Sequence, residues 1–257
     1  MTTLDSAREL VWAAHPELLA IGASGPAPLR AVIRTGSVVG VDLGVEHYWG
    51  IQITAGLRPP EPNDAASAMQ WCRERDRGQG WCVSLPEALA DSSPWSEMEQ
   101  ADPLTMWAID VDTAARLPLT PRDDLELLSD PTLADVRAAY GGWMADMTLA
   151  KQLVRHEDRE RRDRRFIVAR LNGEPVGCAF IWWAGGTGYL SGIGVVERLR
   201  GQGIGHTLST AAARVAARGV EGKAPQIVWM HATEEGAALY ERMGFVKIDT
   251  EAQLTPR

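Results

Sequence analysis

Residues 200–205 read Arg-Gly-Gln-Gly-Ile-Gly, and this stretch decides the fold. It follows an apolar, strand-like run and opens a run whose apolar residues have helical spacing. Its three glycines let the backbone turn sharply and approach a ligand closely, because they carry no Cβ. A helix that begins here presents unpaired N–H groups and the positive end of its dipole, which suit a phosphate. The stretch therefore predicts a pyrophosphate-binding loop, although a plain turn and helix start fits it equally well when it is taken alone.

Two common phosphate-binding motifs do not fit this stretch. The dinucleotide fingerprint needs a third glycine at the position that His206 occupies. The P-loop needs a lysine followed by serine or threonine at its end, and no lysine follows here. The pattern Arg-x-x-Gly-x-Gly does fit, and it resembles the acyl-CoA pyrophosphate loop of the GNAT superfamily of N-acetyltransferases.

A second motif lies downstream, in residues 231–245, and resembles the closing motif of the same family. Leu239-Tyr240 is followed after three residues by Gly244-Phe245, which is the spacing of the family. The family's cofactor-facing asparagine is replaced by Thr233, whose hydroxyl can still make a polar contact. Because the two motifs occur in order, with a predicted helix and strand between them, the resemblance extends over residues 122–250.

Composition narrows the class of protein. The chain has 257 residues, 45% of them hydrophobic and 23% charged, as in a globular protein of one large or two small domains. Its formal charge of −8 argues against nucleic-acid binding and is compatible with a cationic amine substrate. No apolar run is long enough to cross a membrane. The polar N-terminus lacks a signal region, so we expect a cytoplasmic protein.

The cysteines and histidines predict no metal site. The three cysteines, Cys72, Cys82 and Cys178, form no CxxC pair, and the five histidines are scattered. Cys178 lies within a predicted strand without a partner motif, which favours a small core residue over a nucleophile.

Pro118 and Pro121 mark the predicted boundary between a domain at 1–121 and a domain at 122–257. In the second domain we predict a strand at 122–128, a helix capped by Asp130, a hairpin around Asn172-Gly173 and a strand at 189–196. A helix from Ile204 to Gly219, a strand at 227–231, a helix at 234–243 and a strand at 245–248 follow.

The first domain has a similar predicted order: a helix at 5–20, two strands around Thr35-Gly36, a strand at 48–55, a helix at 64–77 and strands at 81–85 and 106–111. Its central strand is followed by Gly56-Leu57-Arg58-Pro59-Pro60. This segment cannot form a second pyrophosphate-binding loop like that at 200–205, because proline lacks an N–H donor. The domain is either a degenerate GNAT-like copy or an unrelated α/β accessory domain.

The resemblance implies a set of cofactor contacts. Backbone groups of the central strand would pair with the pantetheine amides of acetyl-CoA, and N–H groups of the loop would hold its pyrophosphate. Arg200 would contact a phosphate or brace the loop. The implied cofactor-binding residues are Ile193, Gly194, Val195, Arg200, Gly201, Gln202, Gly203, Ile204, Gly205, His206 and Thr233.

The resemblance also assigns Tyr240 as the general acid that protonates the departing CoA thiolate, the alternative being a tyrosine that only packs against the central strand. Ser191, Glu197 and His231 are candidates for the general base, and none is preferred enough to be assigned.

Two other features have structural explanations. Residues 155–165 mix six arginines with four acidic residues, which predicts a solvated helix with ion pairs rather than a nucleic-acid site. Trp182 and Trp183 point to opposite faces if they share a strand, one into the core and the other toward a cleft.

The predicted fold class is therefore α/β: a GNAT fold with a mixed, mostly antiparallel sheet flanked by helices, in tandem with a degenerate first copy. The predicted function is acetyl transfer from acetyl-CoA, without a metal, to a primary amine of a small molecule by direct attack. The alternatives are a protein N-terminal acetyltransferase and a silent acyl-CoA-binding regulatory module. No nucleic-acid or membrane partner is expected, and no oligomeric state is predicted.

Overall fold

A computed structural model describes residues 3–23, 30–101, 103–120, 122–156 and 161–257. The chain forms two compact units. The N-terminal unit comprises Thr2–Trp107, Ala232–Glu234 and Lys247–Arg257, and the C-terminal unit comprises Ala108–His231 and Glu235–Val246. In chain order, the helices and strands are α1 (Leu4–Ala23), β1 (Ala31–Thr35), β2 (Val38–Asp42), β3 (Ile51–Ala55), α2 (Pro62–Arg75), β4 (Cys82–Pro86), β5 (Glu99–Gln100), β6 (Leu104–Asp110), α3 (Val111–Arg116), β7 (Leu125–Leu128), α4 (Leu133–Met144), α5 (Met147–Leu153), β8 (Arg164–Leu171), β9 (Glu174–Ala184), β10 (Thr187–Val195), α6 (Ile204–Arg218), β11 (Ile227–Ala232), α7 (Glu234–Arg242) and β12 (Val246–Thr255).

The sheet of the N-terminal unit has the order β1-β2-β3-β4-β12, with β5 also paired to β12. Strands β3 and β4 are parallel, and the other pairs are antiparallel. Every residue of β2, β3 and β4 is buried, so these strands form the centre of the unit. Trp95 and the alanines of α2 complete its core.

The sheet of the C-terminal unit has the order β6-β11-β10-β9-β8-β7. Strands β10 and β11 are parallel, whereas β7 to β10 form an antiparallel meander. Helices α4 and α5 pack on the face that carries Val168, Cys178 and Phe180. Helix α6 covers the other face, where Gly188 lies against Ala216. The predicted α/β fold with a mixed, mostly antiparallel sheet flanked by helices is confirmed.

Local sequence signals located several turns correctly. Asn172 and Gly173 both have positive φ, 52° and 83°, as a two-residue hairpin turn between β8 and β9 requires. Gly219 ends α6 with φ 70°, and Gly244 follows α7 with φ 91°. Glycine adopts these backbone angles without a steric cost, so each of these positions stops its element.

Helix α4 and the arginine-rich run differ from their predictions. The N-cap of α4 is Thr132, not Asp130, because Thr132 and Asp135 form a reciprocal capping box. The helix predicted for 155–165 is wrong, because none of the described residues in this range lies in an α-helix: α5 ends at Leu153, and Arg164 and Arg165 begin β8. Residues 157–160 lie outside the described part of the chain. Ion pairs are present in this region, between Arg161 and Asp163 and between Arg162 and Glu221.

Along the chain, the first boundary between the two compact units lies within β6, between Trp107 and Ala108. Helix α3 lies in the C-terminal unit, where the Leu117 carbonyl accepts a 3.3 Å hydrogen bond from Arg214 of α6. Strand β12 is longer than predicted, and its residues 247–255 belong to the N-terminal unit because they pair with β4 and β5. The division at 121 therefore remains a prediction from the prolines alone.

No helix in the described part of the chain is long and apolar enough to span a bilayer.

Candidate active site

The pairing between β10 and β11 stops before the C-terminal end of β10. Its parallel register with β11 covers Thr187–Leu190 against Ile227–Met230. Its antiparallel register with β9 continues to Val195, with a bulge between Ser191 and Gly194. Gly192 lies within the bulge and has φ 55°. Within the described chain, β11 therefore pairs with none of the residues 191–195, so this edge can receive a ligand, although the Val195 carbonyl already accepts a hydrogen bond from Arg200.

The glycine loop follows directly. A 3₁₀ turn at Glu197–Leu199 leads into Gly201 and Gly203, whose φ angles are 75° and 80°. A Cβ built on either glycine would meet no heavy atom within 4 Å, so the space beside the loop is open. The positive φ angles explain why glycine is needed at these two positions.

The same loop exposes the start of α6. Gly203 is its N-cap in the left-handed conformation, and no side chain caps the helix. The first intrahelical bond runs from the Thr207 N–H to the Gly203 carbonyl, at 3.1 Å. The N–H groups of the preceding turn, at Ile204, Gly205 and His206, point out of the helix start without an intrahelical acceptor. Together with the helix dipole they form a site suited to an anion.

Two arginines brace this loop. The Arg200 Nε donates to the Val195 carbonyl at 3.4 Å, which corresponds to the bracing alternative for Arg200. Arg122 donates to the Gln202 carbonyl at 2.6 Å and is itself paired with Asp124 at 2.8 Å. Sequence reasoning missed Arg122, because 80 positions separate it from Gln202 and no local pattern joins them.

Tyr240 projects from α7 toward α6. Its side chain is buried, and its ring makes an edge contact with Phe245. Burial raises the pKa of the Tyr240 phenol, while the nearby Ser209 hydroxyl of α6 lowers it in part. No hydrogen bond of ordinary geometry joins the two hydroxyls, and among the described residues the Ser209 Oγ has no partner. The phenol therefore stays protonated at neutral pH, as a proton donor must.

Comparison with known proteins identifies this arrangement. Residues 162–247 match the family model described as "Acetyltransferase (GNAT) domain". This segment contains the β10 bulge, the glycine loop and Tyr240. The C-terminal unit therefore contains a segment that matches a GNAT acetyltransferase domain.

Several solved structures share the fold of the chain over nearly its whole length. A GCN5-related N-acetyltransferase from Kribbella flavida is 18% identical, with a TM-score of 0.70, covering 96% of this chain and 94% of that one. A tandem GNAT protein from the clavulanic acid biosynthesis pathway is 15% identical, with a TM-score of 0.60 and coverages of 98% and 96%. A GCN5-related N-acetyltransferase from Sphaerobacter thermophilus is 14% identical, with a TM-score of 0.55 and coverages of 97% and 92%. No curated protein sequence matches the chain.

These comparisons confirm the predicted tandem GNAT fold and the acyltransferase class. GNAT enzymes use acetyl-CoA, and the residues of the GNAT domain fit that molecule. The unpaired edge of β10 suits the amides of pantetheine, and the open glycine loop at a helix N-terminus suits its pyrophosphate. The individual contacts, including those of Ile193 and Gly194, stay predictions.

Thr233 replaces the family's cofactor-facing asparagine. It is exposed, between β11 and α7, and is grouped with the N-terminal unit rather than with the GNAT domain. Its predicted contact with the cofactor therefore stays a prediction from motif spacing.

The three candidate bases of the GNAT domain have different surroundings. The Ser191 hydroxyl accepts a 3.0 Å hydrogen bond from the Trp182 indole. The His231 Nδ1 lies 3.0 Å from the Tyr189 hydroxyl. Glu197 is exposed in the 3₁₀ turn that precedes the glycine loop. No single carboxylate or imidazole is set apart by this geometry, so the base remains unassigned.

Two other sequence expectations are settled here. Trp182 packs with the α4 cluster, whereas Trp183 donates to the Ala216 carbonyl of α6 at 2.9 Å, so the two tryptophans do lie on opposite faces. Cys178 is buried, and burial raises the pKa of its thiol far above the usual range. A thiol in that state is a poor nucleophile, as expected for a core residue.

Two surface cavities of about 350 and 250 Å³ lie at the far end of β9 and β10, around the turn at Gly185–Gly186 and the end of α6. None of the predicted site residues lines either cavity. They are separate from the unpaired edge of β10 and from the glycine loop.

Proposed function

We propose that the chain is an N-acetyltransferase that moves an acetyl group from acetyl-CoA to a primary amine of a small molecule. One observation carries the proposal. The same continuous segment, residues 191–206, combines an unpaired strand edge, an open glycine loop and an uncapped helix start. A strand edge alone would suit many peptides, and a helix start alone would suit many anions. Their succession suits a molecule with amides at one end and a pyrophosphate at the other.

In this proposal the bound thioester supplies the acetyl group, and a neutral amine nitrogen attacks its carbonyl carbon as the carbon–sulfur bond breaks. No covalent enzyme intermediate is needed, and the described residues at this edge include no low-pKa thiol. The departing thiolate takes a proton from Tyr240, whose raised phenol pKa keeps that proton in place at neutral pH. The amine loses its own proton to a base that we leave unassigned.

The acceptor is proposed to be a small cationic amine. The net charge of −8 supports this choice, because an acidic protein attracts cations through its overall field. A protein N-terminus is the competing acceptor, and the two are separated by which substrates release CoA.

Binding of acetyl-CoA is the first test. A ligand held only by the native state at about 100 times its Kd adds about 2.7 kcal/mol of stability, so the melting temperature should rise by several degrees. Gly203→Glu should abolish the rise, since it places a negative side chain in the open space beside the loop. Gly173→Glu is the matched control, because Gly173 also has a positive φ and open surroundings but lies in the hairpin turn.

Turnover is the second test. Release of CoA thiol should depend on an added amine from a panel of small primary amines. A melting shift with acetyl-CoA but no amine-dependent thiol release would instead favour a silent acyl-CoA-binding module. Equal shifts in wild type and Gly203→Glu would contradict the cofactor site itself.

A further inference from the structure

The end of α4 is pressed against the strand that we propose to hold the cofactor. A Cβ built on Gly194 of β10 would fall inside the indole ring of Trp143, far within van der Waals contact. A Cβ on Gly142 would lie 3.2 Å from the Val196 side chain. Glycines at both positions therefore let the last turn of α4 approach β10 closely, and Trp143 covers the backbone of Gly194 directly.

Trp143 is held in this position by other aromatic rings. Its ring makes an edge contact with Tyr140, with centroids 5.4 Å apart. Tyr140 in turn stacks on Phe180 of β9 at 5.1 Å, and Phe180 meets Phe166 edge-on at 5.0 Å. This aromatic stack (Trp143, Tyr140, Phe180, Phe166) is part of the α4 core cluster. Since Trp143 ends a row of packed rings, its place over Gly194 is not that of a freely rotating surface side chain.

The surroundings of Gly194 restrict where an acyl chain can go. On the opposite face, a Cβ on Gly177 would meet the Gly194 carbonyl at 2.8 Å and the side chains of Val195 and Leu208 at 3.3 and 3.5 Å. Toward the start of β10, the strand is closed by its pairing with β11 up to Leu190 and Met230. Within this unit, a chain attached to a carbonyl beside residues 193–195 therefore meets either packed side chains or the Trp143 ring.

We infer that Trp143 limits the length of the acyl group, so that the donor is acetyl-CoA or another acyl-CoA with a very short chain. The inference rests on the proposed acyl-CoA site and adds to it the residue that selects the acyl chain. The large, half-buried indole, held by the aromatic stack, acts by occupying volume, and it takes no part in bond making. Removing it should open the α4 side of the site to longer chains.

The test measures direct binding by calorimetry, so that no acceptor is required. Acetyl-CoA, butanoyl-CoA and octanoyl-CoA are titrated into the full chain and into Trp143→Ala. One or a few methylenes that do not fit a closed apolar pocket cost about tenfold or more in binding. Wild type should therefore bind octanoyl-CoA at least about tenfold more weakly than acetyl-CoA, and in the variant this gap should fall to about threefold or less.

Two further variants make the result specific. Trp143→Leu keeps apolar packing on Gly194 and should give an intermediate preference, which protects the test if Trp143→Ala is poorly folded. Trp183→Ala removes a similarly half-buried tryptophan on the other face of β9 and should keep the wild-type preference.

Equal affinity of the wild type for all three donors would overturn the inference, and so would an unchanged preference in both Trp143 variants. Loss of the preference in Trp183→Ala as well would show that general loosening, not Trp143, is responsible. Failure of the wild type to bind any of the three would instead reject the proposed function, so the two failures are distinguishable.

Discussion

The two units share an order of elements but differ at the edge of one central strand. In the N-terminal unit, helix α1, the meander β1-β2-β3, helix α2 and strand β4 follow one another, with β3 and β4 parallel. In the C-terminal unit, α4 and α5, the meander β8-β9-β10, α6 and β11 repeat this order, with β10 and β11 parallel. The N-terminal unit therefore has the topology expected of a degenerate GNAT copy.

The corresponding strands β3 and β10 end differently. The register of β3 with β2 is continuous, and all five of its residues are buried. Strand β10 has a bulge, and residues 191–193 are only half-buried. After β3 the chain reaches α2 through two prolines and Glu61, and Pro62 occupies the first turn of that helix. Three prolines without N–H donors and an acidic N-cap do not suit a phosphate. One topology thus forms a closed core in the first unit and, in the second, the strand edge that we propose to bind acetyl-CoA.

The largest predicted effect is a loss of stability on substituting Asp42 in the N-terminal unit. Asp42 is fully buried at the end of β2, where Arg77 and Arg75 donate to its carboxylate at 2.8 and 3.0 Å. Asp42→Asn leaves two arginines without their buried counter-ion, which should cost about 3–5 kcal/mol of unfolding free energy. Chemical denaturation measures the loss. Glu17→Gln removes only an exposed pair with Arg34 and should change stability by less than about 1 kcal/mol.

The pH dependence of the same site has a definite sign. Burial raises the pKa of Asp42, but the hydrogen bonds from Arg77, the Gly44 N–H and Arg75 together lower it below its ordinary value. A carboxyl whose pKa is depressed in the folded state stabilises the protein above its unfolded pKa, about 3.9, and loses that contribution as the pH falls through the folded value. Wild type should lose more stability below about pH 4 than Asp42→Asn does. Parallel acid curves for the two proteins would contradict this assignment.

The next prediction tests whether Tyr240, in the C-terminal unit, acts in catalysis or only in packing. Tyr240→Phe keeps the ring that contacts Phe245 and removes the phenolic proton, so kcat should fall about 100-fold while acetyl-CoA affinity changes little. Because burial raises the phenol pKa, wild-type activity should show no loss from this group until the pH exceeds its ordinary value of about 10. Steady-state kinetics and calorimetry on both proteins measure the two quantities. An unchanged kcat would leave Tyr240 as a packing residue.

A smaller effect on stability tests the close contact between Gly194 and Trp143 in the C-terminal unit. Gly194→Ala places a methyl group in the Trp143 ring and should cost about 1–3 kcal/mol through overpacking. The cost should largely disappear in the Trp143→Ala background, as a double-mutant cycle would show. Gly56, the residue directly after β3, has no atom within 4 Å of a built Cβ, so Gly56→Ala should be nearly neutral. An additive cycle would mean that Trp143 does not cover Gly194.

Local chemistry explains which parts of this comparison the sequence could predict. The loop at 200–205, the hairpin at Asn172-Gly173 and the stop at Gly219 each depend on backbone angles that glycine or asparagine adopts within a few residues. The prolines after β3 likewise indicated that the described segment between β3 and α2 does not form a second pyrophosphate-binding loop. Such features are encoded where they occur, so their positions were correct.

The remaining features depend on partners that are distant in sequence. The bulge in β10 is set by its register with β9, and the cover over Gly194 comes from Trp143 on another helix. Strand β12 joins the N-terminal unit because its pairing partner is β4, more than 150 positions earlier. Helix α5 has only seven residues, too few for a clear periodic pattern. Tertiary pairing decides each of these cases, and a single sequence does not display it.

The smallest predicted effect concerns the brace that the sequence did not reveal. Arg122 donates to the Gln202 carbonyl and so orders the glycine loop before a ligand arrives. Arg122→Gln should weaken acetyl-CoA binding by about threefold, because the ligand must then order the loop itself. Arg198→Gln is the control: Arg198 precedes the same loop but pairs with exposed Glu174, so its loss should leave affinity unchanged. Equal weakening by both variants would point to loss of general positive charge instead, and raising the salt concentration would then remove the difference from wild type. If Arg122 acts by ordering the loop, the affinity difference between wild type and Arg122→Gln should persist at high salt, because the lost hydrogen bond is to a neutral carbonyl.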